Sequence, residues 1–253
     1  MTDLRALVYR EMKLFFSSKV GIIFSAITPA VYLFLFATSM SGLMPRITYR
    51  SLQISYAEFF LPGILTLSVF STAMTMAQSI YNEQLSQMLY QILSNPVRKP
   101  AYVLAKVLTS AIVATAQATV FLAVGAWLFS PAWSWISVGL ALMVCALAAM
   151  CLGSLFQALC GMITSMQTFL VLTNLLYSIL LFTSPIFYPL DAMPFLLRTV
   201  ALLNPVTYAV NVLRDVLLLP GLVRSTDVIV LILITTVAIV LAVQVMRRRL
   251  QTI

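Results

Sequence analysis

Apolar runs long enough to cross a bilayer follow one another along this chain, and one sizeable polar stretch, Asn82 to Lys106, interrupts them near the middle. The first run, Val20 to Met44, would be longer than the ~30 Å hydrocarbon slab as a straight helix, so a tilt or a kink at Thr28-Pro29 is expected. It is too long for a signal-peptide core and lacks a convincing small-residue cleavage site, so it is read as part of the mature chain. Further spans are predicted at Phe59 to Tyr81, Val107 to Phe129, Trp133 to Phe156, Ile163 to Thr183 and Val228 to Met246. The block from Val107 to Leu190 carries no charge and has room for three spans of ~20 residues. No strict alternation of apolar and polar positions runs through these segments, which predicts helices rather than a barrel.

Prolines mark the joints. Pro45 to Glu58 reads as a polar loop, Pro62-Gly63 as a distortion near the start of the second span, and Ser130-Pro131-Ala132 as a tight reversal. Ser184-Pro185 closes the fifth span, and the proline-broken segment to about Arg224 predicts short helices at the membrane surface or dipping into it.

The central polar stretch begins as an amphipathic helix. Leu85, Met88, Leu89, Ile92 and Leu93 share one face, Glu83, Gln87, Tyr90, Gln91 and Ser94 the other, and Asn82 is a candidate cap. Asn95-Pro96 then stops it, and a turn carrying Arg98, Lys99 and Pro100 follows. By periodicity such a helix either docks a partner or floats at the lipid interface with its apolar side down. Residues 1 to 19 form a second interfacial candidate, with Leu4, Leu7, Val8, Leu14 and Phe15 striped among Arg5, Arg10, Glu11, Lys13 and Lys19.

Composition fixes the class: 62% hydrophobic and 9% charged residues cannot cover a soluble domain, so this is an all-α integral membrane protein. The net charge of +8 sits mostly at span ends, which predicts no nucleic-acid partner. With six spans, ten of the 15 basic residues fall on one side, in the N-terminal helix, around Arg98 to Lys106 and at Arg247 to Arg249. The other side holds Arg46, Arg50, Arg198, Arg214 and Arg224, so positive-inside bias puts both termini and the central helix in the cytoplasm. Trp127, Trp133 and Trp135 suit an interfacial belt.

Histidine is absent and no predicted span contains an acidic residue, which removes the usual ligands and bases of metal-dependent or histidine-based catalysis. Cys145, Cys151 and Cys160 do not share a helical face and read as packing residues. No glycine precedes a lysine, so the phosphate-cradling loop of an ATPase is missing and this chain is not expected to be an enzyme on its own. What is polar within the spans is neutral: Ser68, Thr72, Thr75 and Ser79 on the second, with Ser71 and Gln78 beside them, and Gln167, Asn174, Tyr177 and Ser178 on the fifth. Hydroxyls of that kind commonly bond their own helix. The buried amides of Gln167 and Asn174 need partners, which a helix contact, a dimer seam or a substrate cavity could supply.

At this point the sequence resembles the membrane subunits of ABC-2 type exporters, a family that includes drug-resistance, nodulation-factor and polysaccharide export permeases. The resemblance rests on Glu58-Phe59-Phe60-Leu61-Pro62-Gly63 at the second span, on the stretch from Glu83 through Ser94-Asn95-Pro96-Val97-Arg98, and on two late motifs. These are Ser184-Pro185-Ile186-Phe187-Tyr188-Pro189 and Leu203-Asn204-Pro205-Val206-Thr207-Tyr208, and the likeness covers essentially residues 1 to 253 as one transmembrane domain. It implies six transmembrane helices, an N-terminal interfacial helix, a cytoplasmic coupling helix between spans two and three, and short external helices between spans five and six. It further implies two copies, or a copy and a paralogue, paired across a path in a bacterial cytoplasmic membrane. Each would engage a separate ATP-binding subunit, which supplies ATP and magnesium while this chain binds no cofactor. Coupling would fall to Glu83, Leu85, Gln87, Met88, Leu89, Ile92 and Arg98, and the path for an amphiphilic or lipid-like substrate to Thr72, Thr75, Gln167, Asn174 and Tyr177. Relatives commonly have a glycine and a second acidic residue where this chain has Leu85-Ser86-Gln87. An ion-gradient transporter, an intramembrane enzyme and a non-transporting assembly subunit are the rival classes. The first two lack a visible intramembrane ionisable group or base.

Overall fold

A computed structural model describes residues 2–17, 23, 27, 29–35, 39, 46–50, 52–89, 91, 98–129, 133–219 and 221–249. Most of the first expected span, the Ser130-Pro131-Ala132 reversal, Ile92, Leu93 and Asn95-Pro96 lie outside the described residues. The elements are α1 (Thr2–Ser17), a hairpin of β1 (Arg46–Tyr49) and β2 (Leu52–Ser55), α2 (Tyr56–Leu85), α3 (Lys99–Phe129), α4 (Trp135–Met162) and α5 (Met166–Thr183). A 3-10 turn (Leu190–Ala192), α6 (Phe195–Leu203), α7 (Pro205–Leu218) and α8 (Ser225–Arg249) complete the described chain. Five of these, α2, α3, α4, α5 and α8, are long and apolar enough to cross a membrane. They correspond to expected spans two to six. The pair α6 and α7, bent by 89°, would make a sixth crossing if taken as one broken span.

The expected loop before the second span is instead an antiparallel hairpin, with Ile47 opposite Ile54 and Tyr49 opposite Leu52. Its second strand feeds directly into α2 through a capping box: the Glu58 amide donates to Ser55 Oγ at 3.3 Å, and the Ser55 amide donates to Glu58 Oε2 at 3.1 Å. That box moves the helix start back to Tyr56, and α2 continues through Pro62. Pro62 has no amide to give, and its carbonyl accepts from the Thr66 hydroxyl at 3.0 Å.

The helix α2 is the centre of the bundle. It is buried over 83% of its most apolar stretch, whereas α5 is buried over only 17%. Around α2 pack α3, α4 and α7, and α8 lies along α4. Small residues allow the close approaches: a Cβ on Gly161 would stand 2.7 Å from Val245, and one on Gly63 would stand 2.9 Å from the Ile186 side chain and 3.1 Å from its carbonyl oxygen. All three cysteines are buried and unpaired, in keeping with a packing role.

The two ends of the bundle are chemically distinct. At one end, α1 packs on α3 and Arg249 at the close of α8 meets Gln84, Tyr81 and the Cys160 carbonyl, so the N-terminal helix and the end of α8 share that end. At the other sit the hairpin, the segment after α5, the α6–α7 bend and the start of α8.

Candidate functional site

The first residues of the central polar stretch belong to α2, and helical backbone resumes at Met88, Leu89 and Gln91. Asn82 to Leu85 form the last turn of α2; Ser86 caps it and Gln87 takes a positive φ of 57°. Met88 and Leu89 then turn inward, Leu89 being 1% exposed, while Leu85 is 71% exposed. The expected apolar face is therefore split. Glu83, expected on the polar face, is buried, and among the described residues of the stretch Asn82, Leu85, Ser86, Gln87, Gln91 and Arg98 are exposed.

Glu83 is buried because cations meet it. Lys106, itself fully buried, donates to Glu83 Oε1 at 3.0 Å, to Glu11 Oε2 at 2.8 Å and to Ser79 Oγ at 2.9 Å. The Tyr102 hydroxyl donates to Glu83 Oε2 at 2.6 Å, and Arg10 lies 2.6 Å from Glu11 and 3.2 Å from Glu83. Two carboxylates and two cations thus neutralise one another where α1, α2 and α3 meet. Glu11 falls one turn beyond Leu7 on the buried stripe of α1, which makes this helix a docked part of the bundle rather than a purely interfacial one. The helices run past the predicted spans, so that α2 takes in Glu58 and Glu83 and α3 takes in Lys99 and Lys106, although none of these falls within the expected spans themselves.

Burial is the largest influence on the Glu11 carboxyl and holds its pKa above the ordinary 4.5 in spite of Lys106. A carboxyl raised on folding stabilises the fold most when protonated, below the ordinary value, and this contribution is lost as pH rises through the folded value. Glu11→Gln is therefore expected to look better relative to the parent at pH 8 than at pH 5 in thermal unfolding. A penalty that grows with pH would contradict this.

Beside the ion cluster opens a cavity of about 420 Å³ between α1 and α2, walled by Leu14, Phe15 and Met76 on its apolar side and by Thr75, Gln78 and Asn82 on its polar side. Of the expected path residues, Thr75 lines it, whereas Thr72 does not. The Thr72 hydroxyl is buried 2.7 Å from Gln117 Oε1 and 3.0 Å from the Ser68 carbonyl, so it joins α2 to α3 inside the subunit. Ser68, Thr75 and Ser79 likewise donate to carbonyls of their own helix. Tyr177 is half-buried and stands edge-on to Phe70, with ring centroids 4.6 Å apart. Together with the Tyr81–Phe169 contact at 4.8 Å, this sets α5 antiparallel to α2 and brings Thr75 level with Asn174. Gln167 and Asn174 are exposed on the outer side of α5, and the Asn174 amide donates to the Leu170 carbonyl at 2.8 Å.

At the opposite end the three motif segments converge on a residue expected only as a surface charge. Arg214, on α7, is fully buried; its Nε donates to the Phe59 carbonyl at 3.2 Å and its Nη2 to the Ile186 carbonyl at 2.9 Å, with the guanidinium 3.6 Å above the Phe59 ring. Asp215 beside it accepts from the Tyr49 hydroxyl at 3.1 Å and pairs with Arg50 at 2.9 Å. Asn204 caps α7 through the Val206 amide and donates to the Leu180 carbonyl and the Thr183 hydroxyl, pinning the start of α7 to the end of α5. One arginine therefore holds the start of α2, the segment after α5 and α7 together, and the close approach at Gly63 lies in the same contact.

Residues 2–218 match the model of the ABC-2 type transporter family. The chain belongs to that family: it is a multi-pass permease subunit of an ABC-type transporter, a class that works with an ATP-binding subunit. No curated protein matches the chain.

Proposed function

We propose that this chain is half of the membrane path of an ABC exporter in a bacterial cytoplasmic membrane, pairing with a second copy and driven by a separately encoded ATP-binding subunit that supplies ATP and magnesium. The observation that carries the pairing is the outer side of α5, where Gln167, Val171, Asn174, Ser178 and Phe182 are exposed in one stripe of mixed polarity. Lipid alone gives no partner to the Gln167 amide, whereas a facing copy does. The path then runs along α2 and α5, with Thr75, Gln167, Asn174 and Tyr177 as its polar points and the cavity beside Thr75 as its inner mouth. Neutral polar groups on an apolar wall suit an amphiphilic or lipid-like cargo, held by a few hydrogen bonds. Asn174→Leu is expected to change which of several substrates are exported while leaving subunit level and partner binding near normal. A uniform loss that follows lower thermal stability would make Asn174 a packing residue only.

The ATP-binding subunit docks at the end formed by Asn82, Leu85, Ser86, Gln87 and Arg98. Leu85 supports this reading, being a large apolar residue 71% exposed at a helix end. Leu85→Asp is expected to leave the protein folded in the membrane and abolish copurification of the ATP-binding subunit, whereas Leu89→Asp is expected to unfold the local structure, because Leu89 is core. Retention of the partner by Leu85→Asp would leave this surface to lipid. The orientation that puts this end in the cytoplasm follows from the ten basic residues assigned to it. A gradient-driven carrier is the second reading, favoured by the buried Lys106, Glu83 and Glu11. Export by proteoliposomes that needs an ion gradient and proceeds without ATP would select it.

A further inference from the structure

A second cavity, of about 250 Å³, lies at the end opposite Lys106, between the hairpin, the turn at Pro189–Asp191, α6, α7 and the start of α8. It is smaller than the ~300–1,000 Å³ of sites for drug-sized ligands, so it suits a compact polar group. Two of its wall atoms have no hydrogen-bond partner among the described residues although they are buried: Thr207 Oγ1, on a residue 0% exposed, and Asp227 Oδ2, on a residue 9% exposed. A buried carboxylate oxygen and a buried hydroxyl left unsatisfied are costly, and their convergence on one cavity points to a group that satisfies them.

The charges around the cavity say what that group carries. Arg50 is paired with Asp215 at 2.9 Å and Arg198 with Asp191 at 3.4 Å. This leaves Arg214 and the exposed Arg224 in the lining, with Asp227 the carboxylate outside those pairs. An anion is favoured on the arginine side, where a guanidinium can hold a phosphate through two parallel bonds. On the other side Asp227 Oδ2 requires an N–H or O–H donor, best a charged one. An ammonium joined to a phosphate by a short linker meets both demands. A second observation fixes its source: Phe195, Leu196 and Leu203 on the adjoining α6 are 84%, 79% and 80% exposed, an apolar surface on which acyl chains can lie.

We propose that this cavity is a binding site for the head group of a phospholipid bearing a primary ammonium, of the phosphatidylethanolamine type, with the phosphate at Arg224 and the ammonium at Asp227 and Thr207. The cavity is walled by the hairpin, α7 and the start of α8 among others, so an occupied site ties these elements together. That it opens to the outer leaflet rests on the orientation proposed above; its chemistry does not.

The test uses the purified full-length protein in detergent, with thermal unfolding followed while short-chain phospholipids are titrated. Phosphatidylethanolamine is expected to raise Tm by about 3 to 6 °C at tenfold excess over its Kd. Phosphatidylcholine has the same charges but no N–H donor, and phosphatidylglycerol has no ammonium; both are expected to raise it by less than half as much. Asp227→Asn is expected to bring the ethanolamine lipid down to the level of the choline lipid, and Arg224→Gln to weaken all three. Equal shifts for the three lipids in the parent protein, which needs no variant to fold, would overturn the site as a mere lipid annulus. A shift from soluble glycerophosphoethanolamine as large as that from the lipid would overturn the lipid assignment. Neither result touches the ATP-driven reading, which is read separately by partner copurification.

Discussion

Lys106→Met is expected to destabilise the protein by about 3–5 kcal/mol, because it removes the buried cation that Glu11 and Glu83 share. Arg10 alone then faces two carboxylates, and it is itself only half-buried, 2.6 and 3.2 Å from them. In thermal unfolding this amounts to a fall in Tm of roughly 10 °C or more. The effect should be strongly non-additive. Adding Glu83→Gln to Lys106→Met relieves one of the orphaned charges, so the double variant is expected to be at least about 1 kcal/mol more stable than the sum of the two single losses implies. Additive losses would mean that the three groups do not form one cluster.

Arg214→Met is expected to be as damaging, at about 3–5 kcal/mol, for a different reason. The guanidinium donates to two carbonyls on separate segments and stacks on Phe59, and methionine fills the volume while losing both of these bonds and the buried charge's partners. Arg214→Lys is expected to rescue only part of the loss, since one ammonium does not reproduce the planar fork that reaches both oxygens. Arg224→Gln, at an exposed residue on the same end, is expected to change stability by less than about 0.5 kcal/mol in lipid-free detergent. Comparable Tm values for Arg214→Met and Arg224→Gln would show that Arg214 is not the tie between α2, α7 and the segment after α5.

The bundle was legible in the sequence where apolar length decides the outcome. Helices α2 to α5 and α8 follow the predicted spans to within several residues, because only a helix satisfies its backbone in lipid. The charged residues near the span ends were misread. Glu83 and Lys106 look like boundary markers, yet α2 and α3 run 30 and 31 residues, about 45 Å each, so their ends extend past the hydrocarbon slab and fold charge against charge. Nothing local reveals Arg214 as buried: its carbonyl partners are 155 and 28 residues away. The hairpin did leave a signal, the alternation of Ile47 and Tyr49 with Leu52 and Ile54 across a short turn, but strands of four residues are easily taken for loop. Of the candidate site, Thr75, Gln167, Asn174 and Tyr177 fall on or beside surfaces a path could use. Thr72 does not, because helical spacing alone cannot tell an inward face from an outward one within a largely buried helix.

Site-specific photo-crosslinking in the membrane of the native host tests the central claim most directly, with the crosslinking residue placed at Leu85 and, separately, at Asn174. The account predicts that the Leu85 probe captures a nucleotide-binding protein carrying a Gly-Lys-Ser/Thr phosphate loop, and that the Asn174 probe captures a second copy of this chain. Capture of lipid alone at both positions would contradict it.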